Sequence, residues 1–172
     1  MKTTLKQIRA HHPCADGWEK LLSHLGKVKS DDEPLAIITI LESNGLDDAL
    51  WALRAVEGKD CEIRLMACDF AESVLGLFEK KHPDDRRPRE AIEVARKFAE
   101  GKATKAEMFV AEDAAGEAAE AAEAVWTAEA AEAVWAAART AAEAASDAAR
   151  FAGAAERKKQ EDILRKYCES SK

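Results

Sequence analysis

Along the first hundred residues, hydrophobic positions recur at intervals of three and four, which is the spacing of one face of an α-helix. A first helix is predicted between Pro13, in its first turn, and Gly26. A second is predicted from Pro34 to the Asn44-Gly45 pair. We reject a strand over Ile37–Ile40, because these signals enclose one helix length and no other segment offers a strand partner.

Three further helices are predicted before residue 104. Asp47 begins one that Gly58 closes, and another begins at Pro88 and ends at Gly101. The longest covers residues 61–80. Its hydrophobic stripe, about 120° wide on a helical wheel, carries Ile63, Met66, Ala67, Phe70, Val74, Leu77 and Phe78.

The character of the chain changes at Thr104, which forms a capping-box pattern with Glu107. Residues 111–156 contain 24 alanines, so their helix propensity is high. The charged side of the wheel switches after residue 123, and the repeated Ala-Ala-Glu-Ala-Val-Trp would place its two tryptophans on opposite sides of a straight helix. We therefore predict helices over 104–125 and 128–152 with a break near Thr127, and a terminal helix after Gly153.

These patterns predict an all-α protein. Residues 1–103 form a multi-helix bundle of short helices, and residues 104–172 form an alanine-rich, acidic C-terminal helical hairpin packed on it, as one continuous domain. Met1–Ala10 is polar and basic, and no apolar run approaches the roughly 20 residues that span a bilayer. We expect a cytoplasmic protein without a membrane partner.

The net charge of −7 is concentrated in one segment. Residues 1–110 carry 18 basic and 20 acidic groups, whereas residues 111–156 carry 2 and 10. Direct nucleic-acid binding is disfavoured by this balance. Two interpretations of this acidic segment stay open. It is either a solvated face that keeps the helices soluble or a surface that attracts a basic partner protein. The acidic positions are Glu112, Asp113, Glu117, Glu120, Glu123, Glu129, Glu132, Glu143 and Asp147.

Trp126 and Trp135 are candidate apolar anchors for that partner, although core positions would suit them equally. The basic run Arg86-Arg87-Pro88-Arg89 has three interpretations: a phosphate or acidic-partner site, a solvated loop, or a contact with the acidic helices. The sequence does not distinguish among them.

No pattern in the chain favours metal, cofactor or catalytic chemistry. His11, His12, Cys14 and Asp16 include adjacent histidines that cannot share a helix face, and no second pair completes a four-ligand set. Asp47-Asp48 and Asp84-Asp85 stand where carboxylates cap helices. Cys68 is either a buried core cysteine or a thiol activated by a nearby guanidinium. We predict a protein that is not an enzyme and has no cofactor.

Three stretches, Glu42–Val56, Glu62–Leu65 and Ala91–Gly101, precede an alanine- and Trp-containing helical tail. Together they resemble a family of bacterial and phage immunity proteins with alanine-rich helices. The resemblance implies neutralisation of a toxin or effector by binding, without catalysis. It supplies no site residues.

The predicted function is a protein-binding inhibitor that uses an acidic helical surface. It is either an immunity protein or a phage-encoded antagonist of a host defence complex, such as an anti-CRISPR. The partner would be a basic toxin or nucleic-acid-handling effector. The alternatives are a structural scaffold, in which the alanine-rich helices pair in a homodimer, and an enzyme of unfamiliar type that gathers His24, Asp69 or Cys68.

Overall fold

The computed structural model describes residues 1–123 and 154–170. For residues 118–123 and 154–155 it describes the backbone and not the side chains. It divides into two compact units. Unit 1 comprises Met1–Lys59 and Leu164–Lys172, and unit 2 comprises Asp60–Ile163. The predicted break near Thr127 and the helix over 128–152 lie outside the described residues.

Unit 1 begins with a small antiparallel sheet that the sequence analysis did not predict. Strand β1 (Lys2–Thr4) pairs with β2 (Pro34–Ala36), with Lys2 opposite Ala36 and Thr4 opposite Pro34. Pro34 therefore starts a strand, and its placement at a helix start was wrong. Proline has no N–H to donate, so it is tolerated at the first residue of a strand. Thr3 Oγ1 donates to the carbonyl of Ala55 at 2.6 Å and ties the sheet to the following elements.

The helices of unit 1 follow some of the predicted stop signals but not Gly58, before which the helical structure already ends at Ala55. They are α1 (Leu5–Ala10), α2 (Ala15–Leu25), α3 (Ile37–Asn44), α4 (Leu46–Ala52) and a 3₁₀ turn (Leu53–Ala55). Gly26 ends α2 in the left-handed region, with φ of 63°, as its position predicts. Pro13 precedes the capping residue Cys14 and lies outside α2, contrary to the prediction. The Ile37–Ile40 run is helical, which confirms that it is not a strand.

The core of unit 1 is built from α1, α3 and α4 and from the end of the last helix, α8 (Ala154–Ser170). Leu164 of α8 is fully buried. Nearby, the Met1 amino group donates to the carbonyl of Cys168 at 3.0 Å. The other fully buried large side chains of this unit are Leu5, Ile37, Ile40, Leu50 and Leu53.

Unit 2 contains α5 (Asp60–Glu79), α6 (Arg87–Ala99), α7 (Lys105–Glu123) and the first part of α8. Helix α5 packs against α6, which packs against α7. Most of the predicted stripe on α5 is buried, but Leu77 is 51% exposed. A cluster of buried small and branched side chains joins the helices, with Met108 of α7 packed against Cys68, Ala71, Leu75, Ile92 and Ala95.

Apart from two three-residue strands, the regular structure of the described residues is helical, which confirms the all-α class. Within the described ranges, no helix combines the length and the apolar character needed to cross a membrane.

Candidate functional site

Helix α7 carries the described part of the predicted acidic surface, and a capping box starts it. The backbone N–H of Glu107 donates to Thr104 Oγ1 at 3.2 Å, and the backbone N–H of Thr104 donates to Glu107 Oε2 at 2.7 Å. Glu107 Oε2 also accepts from the Thr104 hydroxyl group at 2.8 Å. The hydrogen bonds to this carboxylate from the Thr104 backbone N–H and hydroxyl group lower the pKa of Glu107. The capping box predicted from the sequence is therefore present at the start of α7.

The packing of α7 decides which of its acids face solvent. Met108 and Ala115, two turns apart, are directed into unit 2, and Ala115 is fully buried. Asp113 and Glu117 are exposed on the other side, while Glu112 is half-buried at the edge. Two of these three acids thus lie on a solvent-facing surface.

The other predicted acidic positions lie outside the residues and side chains that the structure describes. They are Glu120, Glu123, Glu129, Glu132, Glu143 and Asp147. The same holds for the candidate anchors Trp126 and Trp135.

Two exposed apolar residues on α7 were not predicted as anchors. Phe109 is 63% exposed and Val110 is 67% exposed. Phe109, Asp113 and Glu117 are spaced by four residues and form one row along the exposed face. Helical periodicity could have indicated the exposure of Phe109, because Phe109 does not share the helix face of Met108 and Ala115. We call Phe109, Val110, Asp113 and Glu117 the α7 outer face.

An open groove of about 520 Å³ runs between α6 and α7. The exposed area of its lining is mostly apolar, with Ala91 and Val94 on α6 and Ala106, Val110, Ala111 and Ala114 on α7. The charged groups at its edges are of both signs, namely Arg87, Lys97, Lys102, Glu90 and Glu107. The groove therefore has no single-sign field, and of the α7 outer face only Val110 belongs to its lining.

Carboxylates of unit 2 pair with the arginines of the predicted basic patch. Arg89 donates to both oxygens of Glu79, at 2.6 and 2.7 Å. The hydrogen bond from Arg89 lowers the pKa of Glu79. Arg86 approaches Glu90 at 4.0 Å. These pairings reduce the positive field that a phosphate or an acidic partner would meet.

Arg87 connects this patch to the acidic helix. It forms two hydrogen bonds with Asp85, at 3.0 and 2.7 Å, and these lower the pKa of the Asp85 carboxyl group. Its Nη1 also lies 3.6 Å from Glu117 Oε2. Of the three interpretations of the patch, the contact with the acidic helix is thus seen at Glu117.

Cys68 and the paired carboxylates do not have the geometry of a reactive site. Burial raises the pKa of the Cys68 thiol to about 11, so the thiolate that an activated cysteine needs is disfavoured. Asp48 accepts a hydrogen bond from Asn44, and Asp85 accepts hydrogen bonds from Arg87. In the described part of the chain, no group of three or more His, Cys, Asp or Glu side chains could hold a metal ion. Cys14 instead accepts the backbone N–H of Gly17 at the start of α2.

A comparison with protein families identifies the family of this chain. The sequence model of the Imm-5 like putative immunity protein matches residues 59–155. The chain belongs to this family. Membership confirms the resemblance seen in the sequence and indicates an immunity-type function, which implies binding of a partner such as a toxin. The comparisons with curated proteins and with solved structures gave no match.

The family match begins just before α5 and covers α6, α7 and the alanine-rich segment. It includes the stretches Glu62–Leu65 and Ala91–Gly101 that carried the resemblance, but not Glu42–Val56. The part of the chain shared with the immunity family is therefore the part that contains the α7 outer face.

Proposed function

We propose that this protein is a non-enzymatic immunity protein that inhibits a basic partner protein by binding it through the α7 outer face and the acidic segment that follows. The proposed partner is a cytoplasmic toxin or a nucleic-acid-handling effector. A phage-encoded antagonist of a host defence complex, such as an anti-CRISPR, is one form of this function. The four cysteines are free thiols, which supports a reducing compartment.

The observation that carries the proposal is the position of the acids. Asp113 and Glu117 lie on the exposed side of the helix in which the family match and the charge asymmetry coincide. Ten acidic groups against two basic groups over residues 111–156 produce a negative field. Such a field raises the encounter rate with a basic protein by about 10- to 1,000-fold at low salt. Toxins that act on nucleic acid present basic surfaces, because they bind phosphates.

The exposed apolar residues of the same face support a binding role beyond steering. Charged groups at a rim accelerate association, whereas affinity depends on a few large side chains that become desolvated. Phe109 lies one turn before Asp113 and is more than half exposed. An aromatic side chain beside carboxylates suits a partner surface that has an apolar pocket with basic residues around it.

The first test is capture of the partner by the tagged protein from a lysate of its host at low and high salt, followed by stopped-flow kinetics with the purified partner. We expect the triple variant Glu112→Lys, Asp113→Lys and Glu117→Lys to reduce the association rate at least about tenfold at low salt. The dissociation rate should change much less. Phe109→Ala should mainly accelerate dissociation.

A matched control makes the same change in net charge elsewhere. Glu57, Asp84 and Glu93 are exposed, and no ion pair involves them among the described residues. Their triple lysine variant should keep an association rate close to that of the wild type. An equal loss in both triple variants would reduce the effect to overall charge, and an unchanged rate in the α7 variant would refute steering by this face. Self-association without a second protein would favour the homodimeric scaffold.

A further inference from the structure

Unit 1 contains a partly open cavity of about 140 Å³, lined by residues outside the segment matched by the immunity family. Residues from α1, α2, α3 and α4 line it. Its lining includes the buried side chains of Ile8, Leu21 and Ile40 and the half-buried side chains of Trp18 and Trp51. An apolar cavity of roughly 150 Å³ accommodates a single benzene ring. The size and lining of this cavity therefore suit one six-membered aromatic ring.

A single carboxylate lies in the lining, and a hydrogen-bonded chain holds it in place. Asn44 Nδ2 donates to Asp48 Oδ2 at 2.7 Å and to the carbonyl of Gly17 at 2.8 Å. The hydroxyl of Ser43 donates to Asn44 Oδ1 at 2.7 Å. In the described residues, no donor reaches the other Asp48 oxygen, Oδ1. The cavity thus combines an apolar body with one fixed acceptor, which is the usual composition of a small-molecule site.

Two arginines lie next to the tryptophans of the lining, although neither arginine lines the cavity itself. The Arg9 guanidinium lies 5.4 Å from the ring centroid of Trp18, and the Arg54 guanidinium lies 4.6 Å from that of Trp51. Both guanidinium groups are exposed, and their positive charge acts against the binding of a further cation beside the tryptophans. A neutral hydroxyl group can donate to Asp48 without that repulsion.

We propose that this cavity binds a phenolic ring, with the ring between Trp18 and Trp51 and the hydroxyl group donating to Asp48. A charge-assisted hydrogen bond of this kind is stronger than one between neutral groups. The ring buries apolar area against Ile8, Leu21 and Ile40. The phenol is either a free small molecule or the side chain of a tyrosine in another protein. The site shares no residue with the α7 outer face.

The test is a titration of the purified full chain, followed through the indole N–H signals of Trp18 and Trp51 in NMR spectra. The probes are p-cresol, which is a tyrosine side chain without its backbone, and toluene, which has the same ring and no hydroxyl group. We expect p-cresol to bind with a dissociation constant on the order of 1 mM and at least about tenfold more tightly than toluene.

Two variants isolate the contribution of the carboxylate. Asp48→Ala should bring the two dissociation constants within about threefold of each other, while retained toluene binding shows that the cavity is intact. Asp47→Ala removes an exposed carboxylate one residue earlier, outside the lining, and should leave the preference for p-cresol unchanged. Equal binding of both probes to the wild type, an unchanged preference in Asp48→Ala, or no shift at either tryptophan would overturn the proposal.

A third probe, N-acetyl-tyrosinamide, distinguishes the sources of the phenol. Binding comparable to that of p-cresol means that the cavity accepts a ring attached to a peptide backbone, and so a tyrosine of a protein. Binding of p-cresol alone assigns the cavity to free phenolic molecules. The experiment contains no partner protein, so its failure leaves the proposed inhibitor function untouched.

Discussion

Arg96 of α6 and Asp69 of α5 form a hydrogen-bonded ion pair, with Nη2 of the guanidinium 2.6 Å from Oδ1 of the carboxylate. Both side chains are largely buried, with exposed fractions of 31% and 19%. Glu72 accepts from the same nitrogen at 2.5 Å. Burial acts to lower the pKa of Arg96, but the hydrogen bonds to Asp69 and Glu72 outweigh it and raise this pKa. This ion pair joins α5 to α6, the helix against which α7 packs.

Arg96→Met should destabilise the protein, because it removes the cation and leaves Asp69 and Glu72 next to each other. We expect a loss of about 1–3 kcal/mol in the free energy of unfolding, measured by urea denaturation. Lys6→Met removes an exposed cation whose ion pair with Asp32 has side chains 68% and 71% exposed. It should cost less than about 1 kcal/mol. Equal losses in the two variants would show that burial does not strengthen the Arg96 pair.

Two helical glycines should respond differently to substitution by alanine. A Cβ at Gly17 would lie 2.7 Å from Asp48 Oδ2 and 3.0 Å from Cys14 Sγ, whereas nothing lies within 4 Å of one at Gly76. Gly76→Ala should stabilise the protein by about 0.5–1 kcal/mol through helix propensity. Gly17→Ala should be neutral or destabilising, because Asp48 must move. Thermal melts of both variants would check this, and equal stabilisation would contradict the close approach at Gly17.

The four thiols should react at different rates with a thiol-specific reagent under native conditions. Cys14 and Cys61 are exposed, so they should react first. Cys168 is half-buried, and burial raises the pKa of its thiol, so it should follow more slowly. Cys68 should react only after unfolding, because it is buried and its pKa is raised to about 11. Mass spectrometry of the labelled peptides would give the order. Early labelling of Cys68 would mean that the α5–α6 core opens readily.

The ion pair of Glu79 and Arg89 should contribute to acid sensitivity. The pKa of Glu79 is lowered from its ordinary 4.5 by the hydrogen bond from Arg89. A carboxyl group with a lowered pKa in the folded state stabilises fully above its ordinary pKa and loses this contribution as the pH falls through the lowered value. Glu79→Gln should therefore reduce the loss of stability on acidification below about pH 5.

Urea denaturation at a series of pH values would measure this effect. The matched control is Glu57→Gln, which removes an exposed carboxylate that has no ion pair among the described residues. It should leave the pH dependence close to that of the wild type. A steeper acid loss in Glu79→Gln than in the wild type would contradict the sign of the argument.

Helix boundaries that depend on neighbouring residues could be predicted from the sequence. Gly26 ends α2 because a residue without Cβ adopts a left-handed backbone at little cost, and Thr104 begins α7 because its hydroxyl group caps an N–H three residues later. The row of Asp113 and Glu117 on one side of α7 also follows from helical periodicity. These features involve residues within one or two helical turns.

Features that depend on distant residues were missed. The pairing of Lys2 with Ala36 joins segments far apart in the chain, and Pro34, read as a helix start, took its strand conformation from that pairing. The phenol-sized cavity likewise needs side chains from four helices.

The α7 outer face shows most clearly which features the sequence determines and which the tertiary structure decides. By itself, the sequence determined that residues after Thr104 form an acidic helix, because helix propensity, capping and charge are properties of neighbouring residues. Only the tertiary structure decided which side of that helix is free. Met108 and Ala115 pack into the core of unit 2, so Phe109 is left exposed beside Asp113. Arg87 reaches Glu117 for the same reason: the folded chain, and not their spacing along the sequence, brings these two charges within Coulombic range.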